Sequence, residues 1–164
     1  MKIVGLLNGR GNNTLKDKNL REVCGNPLLT YPAKAAMQSA LIQDFYVSSD
    51  DEKILSEAHK LGYKKIKRPE EFGRPDSNQD DAIRHALGKM KEDGVEPNLL
   101  VIILANSVSV KGEWIDHCVK EIQEDSSLSA VVPVVSDLDH HPFRAKRRGE
   151  DGLLEAFFDF GDKE

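Results

Sequence analysis

The residues best suited to chemistry lie between Asn8 and Asn19, where Asn-Gly-Arg-Gly-Asn-Asn-Thr-Leu-Lys-Asp-Lys-Asn follows the short apolar run Ile3 to Leu7. Gly9 and Gly11 permit close backbone approach or positive φ, so successive N–H groups can converge on phosphate oxygens. Arg10, Lys16 and Lys18 add full charges, and Asn8, Asn12, Asn13 and Asn19 add neutral donors. The chemistry this composition suits is the wrapping of a polyphosphate. It matches neither the Walker pattern, which needs Gly-Lys-Ser/Thr, nor the dinucleotide pattern, which needs a third glycine where Thr14 stands. A solvated surface loop is the alternative, and composition alone leaves both readings open.

Three other groupings have chemical potential. Asp50-Asp51-Glu52 could hold a metal, but Asp51 and Glu52 fall where a helix begins, so capping is the expected role, with Asp50 at a strand end keeping functional weight. The basic run Lys64 to Arg68 is too short for a nucleic-acid patch and reads as a solvated edge strand. His59, His85 and His117 fall on predicted helices without ligand spacing and read as surface residues.

The elements that must position these groups alternate between strand and helix signals, the pattern of a mostly parallel sheet covered on both faces. Ile3 to Leu7 reads as a buried strand, Leu28 to Leu41 as an Ala-rich helix with Pro32 in its first turn, and Phe45 to Ser49 as a second strand. A helix from Asp51 to about Leu61 ends at Gly62, a short strand covers Lys65 to Lys67, and Asn78 to Lys91 has helical period. Leu99 to Leu104 is a continuous apolar run, expected to be the central strand buried on both faces. Gly112 to Gln123 is expected to be an amphipathic helix with Trp114, Ile115, Cys118, Val119 and Ile122 inward, and Ala130 to Val135 the next strand. Extended structure over Phe143 to Arg148 and weak alternation over Leu153 to Phe160 complete the chain.

In such a sheet, ligands bind outside the carboxyl ends of the strands. Asn8 to Asn19, Ser48 to Asp51, Arg68 to Ser77, Ala105 to Ser109 and Asp137 to Arg144 all follow strands and are expected to face one cleft. With 164 residues and no linker or repeat, residues 1–164 read as one domain, and a net charge of −5 argues against a nucleic-acid partner. Cys24 and Cys118 are far apart and read as reduced, buried thiols. The apolar N-terminal run is too short for a signal peptide and nothing approaches a membrane span, so no membrane partner and a cytoplasmic location are the expectations.

The sequence then resembles a known family. The order of strand, Arg-Gly basic loop, Lys18-Asn19-Leu20, Gly25-Asn26-Pro27-Leu28 and helix, followed by Val47-Ser48-Ser49-Asp50, Lys67-Arg68-Pro69-Glu70-Glu71 and Asp81 to Leu87, is similar to the cytidylyltransferases that make CMP-activated acid sugars. These are the CMP-sialic acid synthetases and their legionaminate, pseudaminate and Kdo relatives. The resemblance covers most of residues 2 to 145. It implies a three-layer αβα sandwich of the Rossmann-like nucleotide-diphospho-sugar transferase fold, and CMP transfer from CTP to an acid sugar.

Position by position, the family's loop Ala-Arg-x-x-Ser-Lys-Gly-x-Pro-x-Lys-Asn holds the CTP phosphates, and Arg10, Lys18 and Asn19 match it. This loop is one residue shorter, with Asn12 or Asn13 where the Ser-Lys would lie and Lys16 as a substitute cation. Asn8, Gly9, Arg10, Asn12, Asn13, Lys18, Asn19, Arg68 and Ser77 are thus implied as nucleotide-binding, with Arg10 and Lys18 catalytic through charge neutralisation. The family's Leu-Gln-Pro-Thr-Ser-Pro-Leu-Arg aligns with Leu104 to Lys111, where Ala105 replaces Gln; Asn106 and Ser107 are implied on the sugar side. His140-His141-Pro142-Phe143-Arg144 is similar to the His-His-Pro segment of the sialate enzymes, which implies His141 and Arg144 at the sugar. Relatives continue past the point equivalent to Glu164 through a dimerisation segment and a magnesium-binding Asp-x-Asp. Mg²⁺ and a homodimer are therefore implied, with no protein metal ligand evident in these residues. A non-catalytic nucleotide-binding module of the same fold, or a transferase with another nucleotide or acceptor, is the competing reading.

Overall fold

The computed structural model describes residues 1–11, 15–74, 76–134 and 145–157. Their contacts divide the chain into two units, residues 1–131 and residues 132–164. In the first unit a four-stranded parallel sheet runs in the order β5-β4-β1-β6, with β1 Ile3–Asn8, β4 Asp44–Ser49, β5 Lys64–Lys67 and β6 Leu99–Leu104. A two-residue hairpin, β2 Glu22–Val23 with β3 Asn26–Pro27, turns through Cys24 and Gly25, both at positive φ. The helices are α1 Thr30–Met37, α2 Glu52–Lys60, α3 Gln79–Glu92 and α4 Gly112–Glu124.

β1 is central, pairing with β4 on one side and β6 on the other, and its six residues are all buried. Its alternation feeds two cores. Ile3 and Leu7 join Val47 and Ile103 under α1, α2 and α4 through Ala33, Leu55, Ala58, Ile115 and Val119. Val4 and Leu6 join Tyr46 and Ile66 under α3 through Ala86 and Met90. The result is the expected three-layer αβα arrangement.

The local signals place the helices well. The Asp51 side chain accepts from Lys53 N–H at 2.7 Å and caps α2, and Asn78 caps α3 by accepting from Asp80 N–H at 3.1 Å. Gly62 follows α2 with φ of 101°.

Four expectations need correction. Leu99 to Leu104 is not the central strand: among the described residues β6 pairs with β1 alone, at the sheet edge, and Ile102 and Leu104 stay 45% and 42% exposed because α3 covers β1 and β4 instead. Residues 130–134 form no strand, and Val132 and Val134 are exposed. Trp114 on α4 faces outward, and its ring instead lies under the Lys111 ammonium, 5.4 Å from Nζ to the ring centroid. Cys24 is exposed rather than buried, since it sits at the tip of the β2–β3 turn beside Gly25, which has open space around it, and Cys118 is half-buried.

The second unit contains an antiparallel hairpin, β7 Lys146–Arg148 with β8 Leu154–Ala156, closed by Gly149 N–H to Leu153 C=O at 2.8 Å. Arg147 and Glu155 pair across it at 3.1 Å. No helix among the described residues is long and apolar enough to cross a membrane.

Tyr63 supplies a pH test of the first core. It is fully buried, donates to Ala33 C=O at 2.9 Å and packs its ring on Phe45 at 5.4 Å. Burial pushes its phenol above the ordinary value of 10. The folded state then holds the phenolic proton more tightly than the unfolded chain. Its contribution is complete below pH ~10 and is lost as pH rises above that value. Urea midpoints measured from pH 8 to 11.5 are expected to fall more steeply for the parent than for Tyr63→Phe, which costs about 1 kcal/mol at pH 8.

Candidate active site

A cleft of about 410 Å³ opens at the carboxyl ends of β1, β5 and β6, a size suited to a small-molecule ligand. Asn8, Gly9, Arg10, Lys18 and Asn19 line it from the first loop, Arg68 and Ser77 from the segment after β5, and Asn106 from the segment after β6. Those eight are residues singled out in the sequence, drawn together by the parallel topology. Phe72, Gln79, Leu104 and Ala105 complete the lining. Phe72 had a signal, being the lone aromatic in a polar loop; Gln79 became visible only once α3 was placed.

The loop is held by its own backbone. Asn19 is buried, its Nδ2 donates to Arg10 C=O at 3.1 Å, and its carbonyl accepts from Leu29 N–H at 2.9 Å. The loop's start, its end and the start of α1 are thereby tied together. Asp17, at φ 52°, turns the chain into a single 3₁₀ turn over Lys18–Leu20. Gly11 N–H donates to Asp50 Oδ1 at 3.0 Å, so Asp50 at the end of β4 anchors the loop. Arg10 Nη1 donates to Arg74 C=O at 2.9 Å, bridging to the segment after β5. Lys18 makes no side-chain hydrogen bond or ion pair among the described residues.

The two glycines serve close approach, not positive φ, which neither adopts. A Cβ on Gly9 would lie 2.8 Å from Ala105 Cβ, and one on Gly11 would lie 2.7 Å from Asp51 Cβ. Gly9→Ala is expected to destabilise the first unit by about 1–3 kcal/mol through overpacking. A urea midpoint equal to the parent's would show that the β1 and β6 ends part without cost.

Arg68 is 4% exposed. Its Nε donates to Ser48 Oγ at 3.3 Å, Nη1 to Phe72 C=O at 3.4 Å, and Nη2 to Ser48 C=O at 2.8 Å and to Asn8 Oδ1. Burial lowers its pKa from the usual arginine value, with Asp50 opposing and Arg10 adding to the effect. Four of its five N–H groups are therefore spent on protein acceptors, which makes it a bracket across β1, β4 and the following turn. The Ser77 hydroxyl is likewise engaged, with Arg74 C=O at 2.7 Å and Phe72 C=O at 3.0 Å.

His85 is half-buried and not a plain surface residue. Its ring lies 5.9 Å from that of Phe72, and its Nδ1 is a buried polar atom without a partner. Burial, then Lys89 and Arg68, hold its pKa below the ordinary imidazole value. Ser107 is half-buried and lies outside the cleft lining. Asn12, Asn13, His141 and Arg144 lie outside the described residues. Lys16 lines a separate surface hollow with Arg21 and Lys53.

The described residues do not fit a magnesium site. No group of three or more His, Cys, Asp and Glu side chains comes together among them, Asp51 is spent on capping α2, and Asp50 holds Gly11.

A parallel αβα sheet with a cationic, glycine-containing loop at the end of its first strand defines a Rossmann-like fold with its ligand cleft at the strand carboxyl ends. The chain belongs to the cytidylyltransferase family, whose model matches residues 10–145. It is 32% identical over 87 residues to an N-acylneuraminate cytidylyltransferase of Escherichia coli O18:K1:H7 (strain RS218 / NMEC), covering 52% of this chain and 21% of that protein. It is 23% identical over 129 residues to a 3-deoxy-manno-octulosonate cytidylyltransferase of Geotalea uraniireducens (strain Rf4), covering 78% of this chain and 48% of that one. Among solved structures, a CMP:2-keto-3-deoxy-manno-octonic acid synthetase complexed with CTP superposes with a TM-score of 0.64 at 19% identity, over 78% of this chain and 50% of that chain. The chain thus spans less than half the length of these two curated relatives.

Proposed function

We propose that the protein transfers CMP from CTP to an acid sugar, a nonulosonic acid such as a sialic acid or Kdo, with release of pyrophosphate. The sugar's anomeric hydroxyl attacks the α-phosphorus, the bond to the β,γ-diphosphate breaks, and pyrophosphate leaves. The observation that carries this reading is the convergence of Arg10, Lys18 and Asn19 with Asn8 and Asn106 in one cleft of a cytidylyltransferase-family chain.

Catalysis would rest on positioning and charge neutralisation. Lys18, unpaired among the described residues, and Arg10 meet the triphosphate, whose developing charge on the leaving diphosphate they stabilise. No Asp, Glu or His is among the cleft's described lining residues, so the described part of the site supplies charge and orientation and not a general base. Arg144 is proposed to pair with the sugar carboxylate.

The test is CMP-sugar formation from CTP by the full-length protein, with a panel of sialic, legionaminic and pseudaminic acids and Kdo. Turnover with one of these is expected, and no turnover with any would overturn the reading. A second reading, nucleotide binding without transfer, is favoured by Ala105, which takes the place of the family's Gln at the cleft wall. Selective CTP binding without turnover in that panel would establish it.

A further inference from the structure

Asn8 is 9% exposed at the end of β1 and lines the cleft. Its amide has one oxygen and one nitrogen, and the orientation of the two is decided by Arg68. A guanidinium has donors and no acceptor, so the atom that receives Arg68 Nη2 must be Oδ1. Rotating the amide would set N–H against N–H inside a buried bracket that Ser48 also holds. Asn8 Nδ2 is thereby turned away from Arg68. It has no protein partner among the described residues, and it is not a buried orphan, since His85 Nδ1 is the one such atom among them. It is therefore a neutral N–H donor, fixed by Arg68 and not fully enclosed, on a residue that lines the cleft.

The surroundings indicate what such a donor meets. The cleft's cations Arg10 and Lys18 belong to the loop, where phosphate is best held. Phe72, Leu104 and Ala105 add apolar lining, which suits a flat heteroaromatic ring with an acceptor on its edge. We propose that Asn8 is a specificity-determining residue whose Nδ2 donates to N3 of cytosine, with Arg68 as the positioning residue that fixes the amide. This rests on the CTP reading of the same cleft. Cytosine N3 is an acceptor, whereas the same position in uracil is an N–H donor, so the oriented amide accepts one base and opposes the other.

The experiment measures calorimetric affinities of CTP, UTP and 3-deazacytidine triphosphate, which lacks the N3 acceptor, for the full-length parent, Asn8→Ala and Asn8→Asp. The parent is expected to prefer CTP over UTP, and over the 3-deaza analogue, by ~10-fold or more. Asn8→Ala is expected to bring the three ligands within about 3-fold of one another, and Asn8→Asp to reverse the donor and weaken CTP further. The 3-deaza comparison on the parent reads the contact without any variant that has to fold. Equal parental affinity for CTP and its 3-deaza analogue overturns the inference while leaving CTP binding intact. So does Asn8→Ala weakening all three ligands alike, which would place the donor at ribose or phosphate. A parent that binds none of the three overturns the CTP reading itself, and the inference with it.

Discussion

Arg10→Ala is expected to weaken CTP binding by ~10- to 100-fold, the loss of one charge-assisted set of hydrogen bonds to phosphate. The residue sits where the loop leaves β1, its carbonyl held by Asn19 and its guanidinium extended to Arg74 C=O. The side chain therefore links the anion loop to the segment after β5, and its removal loosens the cleft's two walls as well as deleting a charge. Arg10→Lys separates the two effects. It keeps the charge and loses the planar fork, so it is expected to recover only part of the affinity. The measurement is calorimetric titration of CTP, with inorganic triphosphate as a ligand that has no base. Affinity for CTP unchanged in Arg10→Ala would mean that the loop does not hold the nucleotide's phosphates.

Arg68→Met is expected to have the largest effect on stability, about 3 kcal/mol, because it leaves the buried Asn8 Oδ1 and Ser48 Oγ without a donor and removes one of the donors to two carbonyls. Asn8 Oδ1 and Ser48 Oγ lose their Arg68 donor together, Ser48 C=O keeps Gly9 N–H and Phe72 C=O keeps the Ser77 hydroxyl, while the methionine stem restores only the packing of the arginine's aliphatic part. Arg68→Lys is expected to recover little, since one ammonium cannot span acceptors placed for a fork. Urea unfolding of the two variants checks this. A loss under 1 kcal/mol would show that the bracket is not a structural one, and that Arg68 is freer to meet a ligand than its burial suggests. Because Arg68 also fixes the Asn8 amide, either substitution is expected to reduce discrimination between CTP and UTP as well.

The alternating α/β class and the placement of the main elements were legible in the residues alone. Periodicity located α2, α3 and α4 to within about two residues, and side-chain chemistry located the beginning of α2: Asp51 was legible as a cap because a short acceptor ahead of a helical run has one favourable use, whereas the Asn78 cap of α3 emerged only from the structure. The sequence also marked most of the residues that line the cleft. Arg10, Lys18 and Asn19 were marked by residue type and by the family pattern, and the rule that ligands lie at strand carboxyl ends was enough to bring them toward Arg68 and Asn106.

Which groups are already engaged, and which strand lies where, emerges only on folding. Leu99 to Leu104 is apolar on both faces, as a central strand would be, but hydrophobicity records what a side chain prefers and not which strand lies beside it. Only the pairing order puts β1 in the middle and β6 at the described edge. Gly9 and Gly11 read as suited to close approach and to positive φ, and the structure uses the first alone, against Ala105 and Asp51, neighbours 96 and 40 positions along the chain in sequence. Arg68 looked like a ligand contact, and its burial against Ser48, Phe72 and Asn8 shows a bracket. A sequence can state that a residue has donors to offer. Whether they are still on offer depends on acceptors brought in from distant strands, and that is settled by folding alone.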